Sequence, residues 1–143
     1  MSKLVKKRDR LLRVRHVQHM LAIVETSRAR DQAAQIASNV ERLAVMRGEL
    51  FGQGGTVNGG ALSAQRELAA RLEAAGRQLD GALYDANRRI EQKEALAIAA
   101  DREREIAERL KDKARRAAEE RLEARLAAIP AARRMMMKGR GEA

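Results

Sequence analysis

Between Gly52 and Gly60 the sequence reads Gly-Gln-Gly-Gly-Thr-Val-Asn-Gly-Gly, and it is the only segment that interrupts helix in a chain of 143 residues. Five glycines in nine residues lose more backbone entropy on ordering than a helix interior sustains. The flanking sequence is rich in alanine, leucine, glutamate and arginine, all strong helix formers. The chain is thereby divided into a first helix over 1–50, from about Lys3 to Leu50, and a glycine-rich loop over 51–61. A second helix follows over 62–129, with Ser63 as its expected N-cap and Pro130 as its stop, and then a basic, flexible tail over 130–143. At the helical rise the two helices are roughly 70 Å and roughly 100 Å long. Helices of that length, joined by a short flexible loop, fold back on one another. The expected fold class is all-α: an elongated antiparallel two-helix coiled-coil hairpin with a longer second helix.

Composition argues against a rounded core. Aromatic residues are 1% of the chain, namely Phe51 and Tyr84, although 45% of residues are hydrophobic. Many of those are alanines, which bury little area. The heptad pattern shows how the helices pair. In the first helix Ile36, Val40, Leu43 and Leu50 keep coiled-coil spacing, and Val14, Val17, Leu21 and Val24 form an earlier run. The two runs disagree by one residue across 26–29, which predicts a seam that drifts. In the second helix Leu72, Gly76, Leu79, Leu83, Ala86, Ile90 and Ala97 make the stripe, continued by Ile106, Leu110, Leu122, Leu126 and Ile129. If Leu50 faces Leu62, Lys3 lies near residue 109 and the second helix projects about 20 residues beyond its partner. Gly76 and Gly81 are weak points that allow a bend or a close approach. Five acid-to-base pairs, Glu67–Arg71, Glu73–Arg77, Asp85–Arg89, Glu105–Arg109 and Asp112–Arg116, support a solvated second helix.

The net charge is +10, and it is unevenly placed. Lys3, Lys6, Lys7, Arg8, Arg10, Arg13 and Arg15 against Asp9 give the first 15 residues +6. Arg133, Arg134, Lys138 and Arg140 against Glu142 give the last 14 residues +3, which leaves +1 for everything between. A hairpin brings both basic segments to one end, where they suit an acidic protein surface, a nucleic acid or a lipid headgroup layer.

Several chemistries are excluded by what the sequence lacks. There is no cysteine, hence no disulfide framework and no cysteine nucleophile or metal ligand. His16 and His19 share a helix face, but cationic neighbours and the lack of a third ligand argue against a metal site. The glycine loop lacks the Lys-Ser/Thr ending of a P-loop, because Ala61 and Leu62 follow Gly60. Two thin helices offer no interior in which to shift a catalytic pKa. The expectation is a protein that is not an enzyme and carries no cofactor. Met135, Met136 and Met137 give the tail an adaptable apolar group. The charged start is no signal peptide and no apolar run is long enough to span a membrane, so a cytoplasmic location is expected. The basic start ahead of apolar heptads also resembles a bZIP layout, but the heptads break after Val24; nonspecific binding to nucleic acid or another anionic surface is the alternative function.

The run Arg10-Leu11-Leu12-Arg13-Val14-Arg15, then Ala33-Ala34-Gln35 and Glu41-Arg42-Leu43, opens and continues the first helix. Gly60-Ala61-Leu62 with Glu67-Leu68-Ala69-Ala70-Arg71-Leu72 opens the second. In architecture and pattern, over roughly residues 8–135, the chain resembles the FliJ family of bacterial flagellar type III export and its YscO-type injectisome relatives. The resemblance implies a stalk and adaptor whose paired terminal helices enter the ring of the flagellar export ATPase hexamer. It also implies contacts with the cytoplasmic domain of the export gate and with export chaperones, at the inner face of the cell membrane. Carried over, the ATPase contact falls on Arg8, Arg10, Arg13, Arg15, Arg133 and Arg134. The gate contact falls on Leu68, Leu72, Ala75 and Leu79, which overlap the seam and include no aromatic residue.

Overall fold

The computed structural model describes residues 2–52, 58–130 and 139. It contains two long helices packed against each other, α1 at Lys3–Gly52 and α2 at Gly59–Ala127, and no strand among the described residues. The chain is an all-α antiparallel hairpin with the longer helix second, as the glycine break predicts.

The helix ends are set by local hydrogen bonds. Ser2 starts α1: its Oγ accepts from the Val5 N–H at 3.2 Å and its carbonyl from the Lys6 N–H at 3.2 Å. α2 starts earlier than expected, because Asn58 and not Ser63 is the N-cap. The Asn58 side-chain oxygen accepts from the Ala61 N–H at 2.8 Å, and its carbonyl accepts from the Leu62 N–H at 3.0 Å. An Asn cap satisfies an amide that the helix itself leaves without an acceptor, which lets Gly59 and Gly60 join the first turn. At the far end the Ile129 N–H bonds to the Leu126 carbonyl just before Pro130.

The hairpin divides into two compact units, one combining the start of α1 through His19 with residues from Ala100 on, the other comprising 20–99. In the 20–99 unit, Ala22, Thr26, Ala29, Ala33, Ile36, Val40, Leu43 and Leu50 are buried or half-buried along α1. Opposite them on α2 are Ala69, Leu72, Gly76, Leu79, Leu83, Ala86, Ile90, Lys93 and Ala97. Both rows alternate steps of three and four, the 3.5-residue period of a coiled-coil seam, with the exposed Arg47 in the α1 slot between Leu43 and Leu50. Antiparallel order is explicit in the contacts. Glu25 reaches Lys93 at 4.0 Å, Arg30 donates to Glu94 at 2.8 Å, and Arg89 donates to Gln32 at 3.5 Å. Leu43 Cδ2 stands 3.4 Å from the place a Cβ on Gly76 would take, so this glycine admits a close approach. The buried Thr26 satisfies its hydroxyl by donating to the Ala22 carbonyl at 2.9 Å.

The seam does not drift. It keeps its phase by running through small residues, and the aliphatic run assigned to it faces water: Val14 is 52% exposed, Val17 55%, Leu21 60% and Val24 43%. The reason is rigidity. With Ile36, Val40 and Leu43 against α2, an unbroken helix brings Ala33, Ala29, Thr26 and Ala22 to the same side, and Leu21 and Val24 to another. Burial is correspondingly thin. Among the described residues the buried apolar ones are Val5 and five alanines, Ala29, Ala33, Ala86, Ala107 and Ala114.

The register also differs from the expected one. Leu50 facing Leu62 would set Leu43 against Ala69, whereas Leu43 meets Gly76, one heptad along. Sliding by a heptad leaves every seam residue on the seam, so periodicity alone does not choose between the two. As a consequence, the first two or so turns of α2 lie past the end of α1 within the 20–99 unit. The excess length of α2 is shared between its two ends and does not form one 20-residue projection. Of the five expected acid–base pairs, Glu67–Arg71 forms at 2.7 Å and Glu73–Arg77 at 3.6 Å. Arg89 turns across to Gln32 instead, Asp112 pairs with Arg115, and Glu105–Arg109 does not form.

Candidate protein-interaction surfaces

In the unit built on 1–19 and the residues from Ala100, the seam passes through charge. Val5 and Leu12 on α1 and Ala107, Ala114 and Ala118 on α2 are buried or half-buried, but Arg15 and His19, Arg104 and Lys111 also occupy seam positions. Each of these polar side chains has an opposite or complementary group nearby. Lys111 Nζ donates to Asp9 at 2.8 Å, Arg15 lies 3.8 Å from Glu103, and His19 Nε2 lies 3.7 Å from Asp101. Arg104 donates through Nε and Nη2 to Asp101 at 3.0 and 2.8 Å, and through Nη1 to Glu108 at 3.3 Å. These contacts hold the Arg104 guanidinium firmly charged, the Asp101 hydrogen bonds foremost, and raise its pKa further. The Lys111 hydrogen bond, aided by Arg13, holds the Asp9 carboxyl below its usual value.

This network changes the reading of the basic end. Arg13 donates to Asp9 at 2.8 Å and is partly neutralised there. Arg15 is half-buried, faces Glu103, and donates to Gln18 at 3.1 Å. Arg8 is half-buried and Arg10 exposed, and neither holds an ion pair among the described residues. Lys3, Lys6 and Lys7 are exposed beside them. Arg133 and Arg134 lie outside the described residues. So do Met135, Met136 and Met137.

Of the four positions carried over for the export gate, Leu68 is exposed, and Leu72, Ala75 and Leu79 are half-buried. Leu72 and Leu79 belong to the α2 seam row, and Leu68, 46% exposed, is the most open of the four.

One surface was missed by sequence reasoning. Ile106, Leu122 and Leu126 were read as seam, yet they are 50%, 58% and 56% exposed. Near Leu122, a groove is lined by Ser2, Val5, Arg115, Ala118, Arg121 and Arg125, with Glu119 as its single acid among the described residues. The sequence did carry a signal for it: the three-four alternation through Lys111, Ala114 and Ala118 next falls on Arg121 and Arg125, not on leucines.

His16 is exposed and His19 turns toward Asp101; no group of three or more His, Asp or Glu among the described residues is placed to hold a metal ion. Among the described residues no helix is long and apolar enough to cross a membrane. No family model, no curated protein and no solved structure matches the chain.

Proposed function

We propose that this chain acts by binding other proteins, without a catalytic step, as a coiled-coil stalk and adaptor in bacterial flagellar type III export. On this reading the unit containing the N-terminus engages the ring of the export ATPase, while other stretches of the hairpin meet the export gate and the export chaperones. The protein then works in the cytoplasm, at the inner face of the cell membrane. The observation that supports the reading best is the concentration of uncommitted positive charge in that unit. Lys3, Lys6, Lys7 and Arg10 are exposed on α1, and Arg121 and Arg125 line a groove on α2. Such a field speeds encounter with an acidic surface and fixes orientation. The stalk role itself rests on the FliJ resemblance.

The test is co-purification with a flagellar export ATPase together with the ATPase turnover rate. Reversing Arg8 and Arg10 to glutamate should weaken both association and stimulation, while reversing Arg66, exposed in the other unit, should not. If Arg8 and Arg10 reversal changes neither, the assignment of this end to the ring is wrong. The same basic charge supports a second reading, binding to nucleic acid or another anionic surface. That reading predicts a steep loss of binding between low and moderate salt through counterion release. The single tyrosine, Tyr84, lies under the Arg88 guanidinium at 5.9 Å and belongs to the 20–99 unit.

A further inference from the structure

We infer that the groove at the α2 end of the terminal unit is a docking site for an acidic amphipathic helix of a partner protein. The argument begins with the seam of that unit. α1 covers α2 as far as Val5, which lies against the groove that Ala118 and Leu122 also line. α2 continues to Ala127, so its last turns have no α1 beside them. The next two positions of the α2 seam are Arg121 and Arg125. A helix that continued the path of α1 would have to set carboxylates opposite both.

The same unit shows how such a pairing is met. Lys111 occupies the seam three positions before Arg121, and α1 answers it with Asp9 at 2.8 Å. Past the start of α1 the seam cations Arg121 and Arg125 persist with no α1 acid to answer them, and the nearby acids Glu119, Glu120 and Glu123 belong to α2 itself. Arg115 has Asp112 at 3.6 Å, a loose pair, and among the described residues Glu119 is the only acid lining the groove. The α1 N-terminus adds to the positive field, because its first turn contains no acidic residue.

The apolar part of the groove selects the kind of acidic partner. Val5, Ala118 and Leu122 form a strip between the arginines, and Leu122 leaves 58% of its surface in water. A phosphate backbone makes no use of that strip. An amphipathic helix does, with leucine or valine spaced at three and four and glutamates alongside. The site gives the partner-binding function a location and a chemistry. It relies on that function only in that the chain acts by binding, and the export ATPase need not be the partner.

Fluorescence anisotropy with the full chain tests this. The probe is a labelled 18-residue helical peptide with leucines at three-four spacing and glutamates flanking them. Two comparison peptides replace the leucines by serine or the glutamates by glutamine, and a labelled 20-base-pair duplex DNA is the fourth ligand. At moderate salt the amphipathic acidic peptide should bind, and both comparison peptides should bind about tenfold more weakly or worse. Arg121→Glu with Arg125→Glu should weaken the probe about tenfold or more, and Leu122→Ser by about fivefold. Arg66→Glu should leave it unchanged, with far-UV circular dichroism confirming that each variant is helical. Equal binding of the serine peptide, tighter binding of the duplex, or indifference to the Arg121 and Arg125 reversals would each overturn the proposal. Failure to bind an export ATPase while the peptide result holds would overturn the stalk reading alone.

Discussion

Replacing Gly76 by alanine should make the hairpin more stable, and the structure says by how much. Gly76 lies deep inside α2, where glycine costs about 1 kcal/mol relative to alanine. The new methyl would stand 3.4 Å from Leu43 Cδ2 and 4.0 Å from Arg47 Nη1, an ordinary contact without a clash. Half-burial of that methyl adds a few tenths of a kcal/mol, from the ~0.8 kcal/mol of a fully buried carbon. The expected gain is therefore about 1–1.5 kcal/mol, or roughly 4 °C in Tm for a chain of this size. Gly81 provides the comparison, since nothing lies within 4 Å of its Cβ position. Gly81→Ala should gain about 1 kcal/mol from propensity alone. Urea and thermal unfolding followed at 222 nm would measure both. If Gly76→Ala destabilises while Gly81→Ala stabilises, Leu43 sits closer than an alanine seam allows and the register described here is wrong. If neither changes stability, α2 is not a continuous helix through this stretch.

The revised seam makes an opposed pair of predictions: Ala29→Leu overpacks a buried site and should cost about 1–3 kcal/mol, whereas Leu21→Ala, on an exposed face, should stay within about 0.5 kcal/mol. Asn58→Ala should cost about 1 kcal/mol through loss of the α2 cap, and Ser63→Ala should change little; denaturant midpoints separate the two. Asp9 has its pKa lowered in the fold, so its ionised form stabilises the protein at neutral pH and that contribution fades as pH falls through the ordinary carboxylate range and below. Asp9→Asn should therefore flatten the acid limb of a stability–pH curve. An acid limb as steep as the parent's would show that the Lys111–Asp9 contact does not contribute to stability.

The glycine run disclosed the hairpin, and the apolar positions from Ile36 to Leu50 disclosed the seam near the turn. What the residues did not disclose follows from how a seam is read. Hydropathy marks residues that avoid water, not residues that a partner covers. Val14, Val17, Leu21 and Val24 look like a heptad run and lie outside the seam, while Ala22, Ala29 and Ala33 look like helix filler and lie in it. Alanine serves both as the best helix former and as a small seam residue, so its pattern is ambiguous without a partner helix. The basic end was legible as charge but not as availability. Arg13 and Arg15 carry the same charge as Arg10 and are engaged within the hairpin, which only the positions of Asp9 and Glu103 reveal. The groove at Leu122 depended on knowing where α1 begins relative to α2.

The cross-helix pairs in the 20–99 unit work like the notches of a vernier. An apolar row that repeats every seven residues stays on the seam at successive settings, but the partners of Arg30 and Glu25 change. Move α1 one step toward the alternative setting and Arg30 exchanges Glu94 for Asn87, while Glu25 exchanges Lys93 for Ala86. Each pair is at least partly open to water and worth about 1 kcal/mol, so the setting is chosen by a narrow margin. Salt weakens these notches and leaves the apolar row intact. The ionic strength that barely alters how firmly the helices hold together thus governs how sharply they are aligned.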